Sequence, residues 1–543
     1  MDKIEGFSRE VCLEKILFLM AVVIFVCVAF QKLLGKTGVP GLFIFILLGM
    51  LFGSDGIFQI PFDDYSFANE ICSMALIFIM FYGGAGTKWS TARPAAVKAV
   101  LLSSLGTVLT AFLVGGFCFY ALDFPLIEAF LMGAVICSTD AASVFSILRS
   151  KQMNLKYSTA PMLEVESGSN DPFSYMLTVI FLAMMGGENY SGGQVALMLF
   201  LQVALGLAGG FLFAFFGRWV LTRFHISEIA LDTTFLVGIA LMAYTVPYLI
   251  GGNGYLSVYI AGIILGNARL PNKKNIIDFL GGLTTLMQMF LFFLLGLLSF
   301  PSKLPGVAWT ALLIALFLTF IARPLAVFGI LTPFRSSFRQ QIFVAWSGMR
   351  GAASIVFAIM AMTGTAVLSN DIFHIVFFIV LFSILIQGTL LPGMAKVLDM
   401  IDEDGNVLKT FNDYTEEVPV QFLQFTLQKG HPWEGKPLSA VTLPPESILT
   451  LILRDNLKLI PKGNTVLQEG DILILSGREG GQISGIHLYE RRITKDDEWA
   501  ERKLSEISLA GSLVILILRN EHVVIPNGET VLKENDLLYI SDR

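Results

Sequence analysis

Between about residue 11 and residue 398 the chain is written in long apolar runs, most of them near twenty residues, separated by short polar loops. A helix needs about 20 apolar residues to cross a bilayer. The runs 11–34, 38–54, 67–87, 95–121, 125–148, 158–186, 193–221, 229–249, 254–268, 277–300, 306–332, 339–363 and 370–398 therefore predict thirteen transmembrane helices, the ninth short and glycine-rich. The loops alternate in charge. One set carries Lys32, Lys36, Lys88, Arg93, Arg149, Lys151, Lys156, Arg218, Arg223, Arg269, Lys273, Lys274, Arg335 and Arg339; the other carries Asp55, Asp63, Asp64, Asp123, Glu188 and Asp371, with Lys303 as its one lysine. The positive-inside rule places the first set in the cytoplasm, so the N-terminus is outside and the C-terminus inside. An odd number of spans requires the same.

After Leu398 the pattern changes. Residues 399–417 are acidic and turn-rich, as expected of a linker, and beyond them apolar and polar positions alternate as in strands. This region repeats. Ser447–Arg454 recurs as Ser512–Arg519, Ile460-Pro461-x-Gly463 as Ile525-Pro526-x-Gly528, and Glu469-x-Asp471 as Glu534-x-Asp536, all at an offset of 65 residues. Trp433 and Leu438 match Trp499 and Leu504 one residue out of step. The expected organisation is a membrane domain at 1–398, a linker at 399–417, and two soluble α/β modules at 418–484 and 485–543.

Composition sharpens this picture. The 543 residues are 55% hydrophobic and 15% charged, with mean hydropathy +0.70; an ordinary soluble chain is about 25% charged. The net charge of −6 offers nothing to a nucleic-acid polymer. The five cysteines lie in or beside apolar runs without metal-ligand spacing and read as packing residues. The abundant phenylalanines read as lipid-facing and packing surface.

The informative residues are the polar ones inside the spans. A carboxylate at mid-bilayer costs about 2.5–3.5 kcal/mol even on the lenient scale, yet Asp140 and Asp171 occupy consecutive spans. The fifth span is interrupted by Ser138-Thr139-Asp140 and Ser143, the twelfth by Ser347-Gly348-Met349-Arg350-Gly351. Such stretches let a helix unwind where neighbours satisfy the freed backbone. The two spans run in opposite directions, seven helices apart. That spacing predicts inverted repeats, helices 1–6 and 8–13, whose broken helices cross at mid-depth. Asp140 would offset the positive half-helix ends and Arg350 the negative ones. In the sixth span Glu164, Ser167 and Asp171 share one helical face; Glu166 and Asn170 share a neighbouring one. Glu166 is expected to pair with Arg323 of the eleventh span as a structural clamp. Asp171 is left without a fixed counter-ion, so it should hold either a proton or a cation.

At these residues the chain resembles the monovalent cation/proton antiporters of the sodium/proton-exchanger-like branch. The elements are Thr139-Asp140, Glu166-x-x-x-Asn170-Asp171, Arg323 before Pro324, and Gly348-Met349-Arg350-Gly351-Ala352, in register over about residues 10–398. The resemblance implies a thirteen-helix fold, a homodimer and an elevator-like movement. It implies that Asp171 binds the ion or proton with Thr139, Asp140 and Ser167 nearby, and that Asn170 in place of a second aspartate accompanies electroneutral exchange. Glu164 lies outside that pattern, either as a cation attractor in the cytoplasmic funnel or as a rim charge. The tail resembles the TrkA C-terminal modules of potassium-conductance regulators, in tandem. It implies a cytoplasmic regulatory ligand, a nucleotide among the candidates, and makes K⁺ a leading cargo beside Na⁺. The Gly477–Gly481 stretch lacks the spacing of a dinucleotide turn, so no cofactor is expected.

The expected function is exchange of K⁺ or Na⁺ for H⁺ across the inner membrane of a prokaryote. An enzyme is not expected, for want of a triad, metal cluster or phosphate loop. A ligand-gated channel should carry a selectivity-filter loop, and an organic-anion carrier should present cationic groups at its site; the sequence offers neither.

Overall fold

The computed structural model describes residues 21–22, 24–29, 41–151, 153–186, 191–223, 229–268, 270, 273–364, 368–402, 420–443, 447–454, 457–478, 487–493, 497–507, 513–519, 522–524 and 526–542. Most of the first predicted span, Glu188 and the bulk of the acidic linker lie outside them. The chain separates into two compact units, Met1–Thr415 and Glu416–Arg543.

The first unit is helical. Its described helices are α1 Gly41–Phe52, α2 Tyr65–Gly86, the near-continuous α3 Trp89–Leu122, α4 Leu126–Ile136, α5 Ala141–Ser150, α6 Thr159–Met185, α7 Gly192–Arg223, α8 Ile229–Leu249, α9 Gly254–Asn267, α10 Lys273–Leu298, α11 Pro301–Leu331, α12 Phe338–Trp346, α13 Ala352–Thr363 and α14 Ile372–Val397. Seven of the described helices are long and apolar enough to cross a membrane. Local chemistry sets several starts: Asp64 caps α2 through the Phe67 N–H (2.9 Å), and Asn253 caps α9 through that of Leu256 (3.0 Å).

Helices in lipid associate through close backbone approach rather than hydrophobic gain, and two glycine pairs show how. Gly49 of α1 meets Gly296 of α10, where an added Cβ at residue 49 would lie 2.1 Å from the Phe293 carbonyl oxygen. Gly84 of α2 meets Gly262 of α9, where a Cβ at residue 84 would lie 2.4 Å from that of Tyr259.

The sequence gives no sign of three wide π-type turns, Leu102–Gly106, Leu318–Ala322 and Ser383–Gln387. Such turns gather at functional positions. Here the last two are linked by Gln387, whose amide donates to Thr319 Oγ1 (3.3 Å).

The second unit holds two four-stranded antiparallel sheets. Strands β1 Val420–Thr426, β2 Ser447–Arg454, β3 Leu457–Leu459 and β4 Ile472–Arg478 order as β1-β4-β2-β3. Strands β5 His487–Arg492, β6 Leu513–Arg519, β7 His522–Val524 and β8 Leu537–Asp542 order as β5-β8-β6-β7. The repeat extends to irregularities: the register slip between Leu449 and Leu451 recurs between Val514 and Leu516. The expected α/β character needs correction. Among the described residues each module carries strands and a single 3₁₀ turn, Leu438–Ala440 or Leu504–Glu506. Pro432, Gly435 and Pro437 in the first copy break any helix between β1 and β2.

Each module is locked by an arginine forked onto a buried aspartate. Arg454 Nε and Nη2 donate to the two carboxylate oxygens of Asp471 (2.7 Å each); Arg519 does the same to Asp536 (2.8 and 2.7 Å). The Gln468 and Lys533 N–H groups add one bond apiece. Burial alone would raise both acid pKa values, but the arginine forks and backbone donors outweigh it and hold them below the ordinary carboxylate value. A folded-state pKa depressed in this way contributes stability above the unfolded value, near 3.9. That stability is lost as pH falls through the folded value. Asp471→Asn or Asp536→Asn in the full chain is therefore expected to weaken its module by roughly 2 kcal/mol at neutral pH and to remove its share of the acid loss below about pH 4. Hydrogen exchange at β2 and β4, or β6 and β8, measures this; unchanged protection at neutral pH would refute the lock.

Candidate functional site

The first site element is the gap between α4 and α5. Helix α4 stops at Ile136, residues 137–140 are non-helical, and α5 begins at Ala141. The matching gap separates α12, ending at Trp346, from α13, beginning at Ala352. The two gaps are joined. The Asp140 N–H donates to the Met349 carbonyl (2.7 Å), and the Ser138 and Ser354 hydroxyls share a hydrogen bond (3.3 Å). Gly351 permits the crossing, since a Cβ there would fall 2.2 Å from an Asp140 carboxylate oxygen.

Charge at the gaps follows the free helix ends. The Asp140 carboxylate accepts from the N–H and hydroxyl of Ser143 (3.3 and 2.6 Å), at the positive start of α5. Arg350, 1% exposed, donates from Nη1 to the Cys137 and Ser138 carbonyls (2.7 and 2.5 Å), at the negative end of α4. Its own N–H donates to Ser383 Oγ (2.9 Å), which ties the gap to the last wide turn. Ser383, Gln387 and Thr319 thus support Arg350 from behind. Sequence reading passed them over, because single hydroxyls and amides in apolar runs carry no periodic signal.

Helix α6 crosses both gaps. Ser167 Oγ donates to the Thr139 carbonyl (2.7 Å) and accepts from the Ala141 N–H (2.8 Å). The Asn170 amide donates to Thr139 Oγ1 (2.6 Å). Glu166 and Arg323, 1% and 3% exposed, are in direct contact, Oε1 to Nη2 at 2.5 Å, with angles outside hydrogen-bond geometry. Arg350 lies within electrostatic reach of both, so one carboxylate faces two buried cations.

Asp171 differs from all of these. Its Oδ1 is buried and accepts no hydrogen bond among the described residues, and no basic side chain pairs with it there. Its closest electrostatic neighbours are Asp140 and the Ser138 hydroxyl. It lines a cavity of about 550 Å³ whose walls also include Ser138, Thr139, Asp140, Glu164 and Ser167. Asn170, Glu166, Arg323 and Arg350 stand outside those walls. The wall residues of α2 run from Leu76 to Gly86, those of α6 from Glu164 to Asp171, and those of α10 from Gly281 to Phe292. Those of α2 and α6 lie on the half of each helix that leads to Lys88 and Lys156, and those of α10 span its middle. On the other side of Asp171 the way is filled by Tyr175, Tyr255 and Phe357, each under 10% exposed, with ring centroids 5.1 to 6.4 Å apart.

A one-sided cavity ending on an unpaired acid between crossed helix gaps is a carrier's geometry, and the comparisons place it. The family model described as sodium/hydrogen exchanger, transmembrane, matches residues 20–397. The chain belongs to the sodium/hydrogen exchanger family. The TrkA-C domain matches twice in the tail of this exchanger, at 422–482 and 488–541. A K⁺/H⁺ antiporter, NhaP2, of Shewanella sp. (strain MR-4) is 33% identical over 464 residues, 84% of this chain and 79% of the relative. A Na⁺/H⁺ antiporter, NhaH, of Halobacillus dabanensis is 28% identical over 319 residues, 56% of this chain and 77% of the relative. The solved sodium proton antiporter MjNhaP1 of Methanocaldococcus jannaschii shares the fold, with a TM-score of 0.62 at 24% identity over 71% of this chain and 99% of that one.

Proposed function

We propose that this exchanger is a secondary antiporter that trades a monovalent cation for a proton, with Asp171 as the carboxylate both cargoes use. The observation that carries this reading is the buried Oδ1 of Asp171, unbonded in the wall of a cavity that also presents Ser138, Thr139, Asp140 and Ser167. A buried carboxylate with one oxygen unbonded and no counter-ion is costly to keep ionised. A proton or a desolvated cation relieves that cost, and neither can bind while the other does. Ser138, Thr139, Asp140 and Ser167 supply further oxygens around it. Asn170 holds the Thr139 hydroxyl and carries no charge itself, so one negative charge takes either one cation or one proton. That supports electroneutral one-for-one exchange.

In this reading the chain has thirteen spans arranged as inverted repeats, with the α4/α5 and α12/α13 pairs as its broken crossing helices. Glu166–Arg323 is the clamp and Arg350 with Asp140 the compensation at the breaks. The domains run 1–398, 399–417, 418–484 and 485–543. The basic loops face the cytoplasm of a bacterial inner membrane, so the cavity opens inward. Two copies form a dimer, and the sheet modules regulate exchange by binding a cytoplasmic ligand, with a nucleotide as the leading class. K⁺ is the leading cargo beside Na⁺, because relatives that align over 84 and 87% of this chain, more than its membrane region alone, are K⁺/H⁺ antiporters by name.

The test is made in proteoliposomes of the full chain. An inward gradient of K⁺ or Na⁺ should drive proton efflux, the apparent cation affinity should fall as pH falls, and the rate should be the same at imposed membrane potentials of either sign. Failure of K⁺, Na⁺ and Li⁺ gradients to move protons at any pH would end the antiport reading. A rate that follows the potential would end the one-for-one reading alone.

A further inference from the structure

The cavity wall carries further oxygen-bearing side chains that the Asp171 chemistry does not use, Glu164 and Tyr259 among them, with Thr87 buried directly behind these two. Glu164 lies seven residues before Asp171 on the same face of α6, about 10 Å away along the axis. Its Oε1 is 3.4 Å from Thr87 Oγ1. Thr87 has one hydroxyl proton, and the shorter bond is to the Gly83 carbonyl (3.0 Å). The hydroxyl is thus shared between the Gly83 carbonyl and the Glu164 carboxylate, which holds Glu164 beside Thr87 with its remaining lone pairs available to a cation. Tyr259 completes the group. It is 1% exposed, lines the same cavity, and its hydroxyl has no hydrogen-bond partner among the described residues, although Thr87, Ser169 and Glu164 are its neighbours.

The surroundings hold these oxygens in place. The Asn267 amide donates to the Thr87 carbonyl (2.8 Å) and its Oδ1 accepts from the Trp89 N–H (2.9 Å), fixing the turn after α2. The Gly84–Gly262 contact sets α9, and so Tyr259, against α2. Gly168 lets the Tyr259 ring lie flat on α6, since a Cβ there would fall 2.2 Å from the ring. Pro172 has no N–H to donate to the Gly168 carbonyl four residues back, which leaves that oxygen free of its helical bond on the stretch between Glu164 and Asp171.

We propose that Glu164, Thr87 and Tyr259 form an access subsite where the monovalent cation, partly stripped of water, pauses on the basic-loop side before passing the Gly168 carbonyl to Asp171. The subsite deepens the antiport reading and rests on it. It sets the apparent cation affinity from that side and leaves the proton step to Asp171.

Full-length Glu164→Gln and Tyr259→Phe variants, in vesicles with the basic loops outward or inward, test this with K⁺ and Na⁺. For Glu164→Gln the half-saturating cation concentration should rise about tenfold with the basic loops outward, with the maximal rate and the opposite-face affinity unchanged. Tyr259→Phe should shift it in the same direction by less, and Glu164→Asp should restore part of the loss. Added choline chloride screens a distant surface charge but should not erase the difference between wild type and variant. An unchanged affinity, an equal shift from both faces, loss of the maximal rate, or a difference erased by choline would each overturn the subsite. The antiport reading is judged separately, by whether wild type exchanges at all.

Discussion

Asp171→Asn abolishes cation/proton exchange while leaving the protein at least as stable as wild type. Asparagine fills the same volume, but it neither releases a proton nor offers a formal charge to a cation. The rate should fall by at least about a hundredfold, on the order of a lost charged contact near 3 kcal/mol. The sign on stability is the more discriminating half. Burying an ionised carboxylate whose Oδ1 has no partner is unfavourable, so removing its charge should leave the melting temperature in detergent unchanged or raise it. Loss of exchange with a stability gain identifies a group retained for transport at the expense of the fold. Exchange that persisted in the variant would remove Asp171 from the centre of the mechanism, and a large loss of stability would mean that it holds the helices together.

The second large effect runs the other way. Glu166 faces both Arg323 and Arg350. Glu166→Gln leaves two buried guanidinium groups with their common anion gone, and breaking a buried pair from one side costs about 3–5 kcal/mol. The variant should melt far below wild type. The double variant Glu166→Leu with Arg323→Met removes the Arg323 charge together with that of Glu166, and the remaining cation, Arg350, keeps its Cys137 and Ser138 carbonyl acceptors. It should recover most of the stability, because a well-packed apolar pair of similar volume is close to neutral against a buried ion pair. Exchange should survive in the double variant, since neither residue lines the cavity. Thermal melts in detergent beside proteoliposome assays read both. A single variant as stable as wild type would show that the contact carries no weight; a stable double variant without exchange would move the pair into the transport chemistry.

What the sequence made legible follows from what a bilayer forbids. Polar groups are so costly in hydrocarbon that Ser138, Thr139, Asp140, Glu166, Asp171, Arg323 and Arg350 stood out individually, and the structure brings them around two crossed helix gaps. The repeat in the tail was readable because turns at Pro-x-Gly and the Glu-x-Asp pair recur at fixed spacing. Other features left no mark. The Tyr259–Gly168 contact joins positions 91 residues apart, and a tyrosine in an apolar run reads as packing. The Tyr175, Tyr255 and Phe357 cluster looks like any other aromatic content until the three helices meet. Asn170 follows the helical wheel: its neighbour Asp171 faces the cavity with Glu164 and Ser167, whereas its own amide, on the face it shares with Glu166, turns to Thr139. In the modules the alternation marks the strands, whereas no helical periodicity lies between them, and the described residues carry a single 3₁₀ turn per copy there.

The staple between Asp140 and Met349, with Arg350 clasping the Cys137 and Ser138 carbonyls, has a thermodynamic corollary. Two gaps stitched together by their own backbone hold their oxygens as one unit, and under the antiport reading that unit would offer the same oxygens to either compartment. A subsite on one face changes how readily that face loads, but a passive exchanger has no preferred sense of net exchange whatever the affinities at its two faces. In one-for-one exchange the direction of flow is dictated wholly by the two concentration ratios, and it reverses when the cation ratio across the membrane passes the proton ratio.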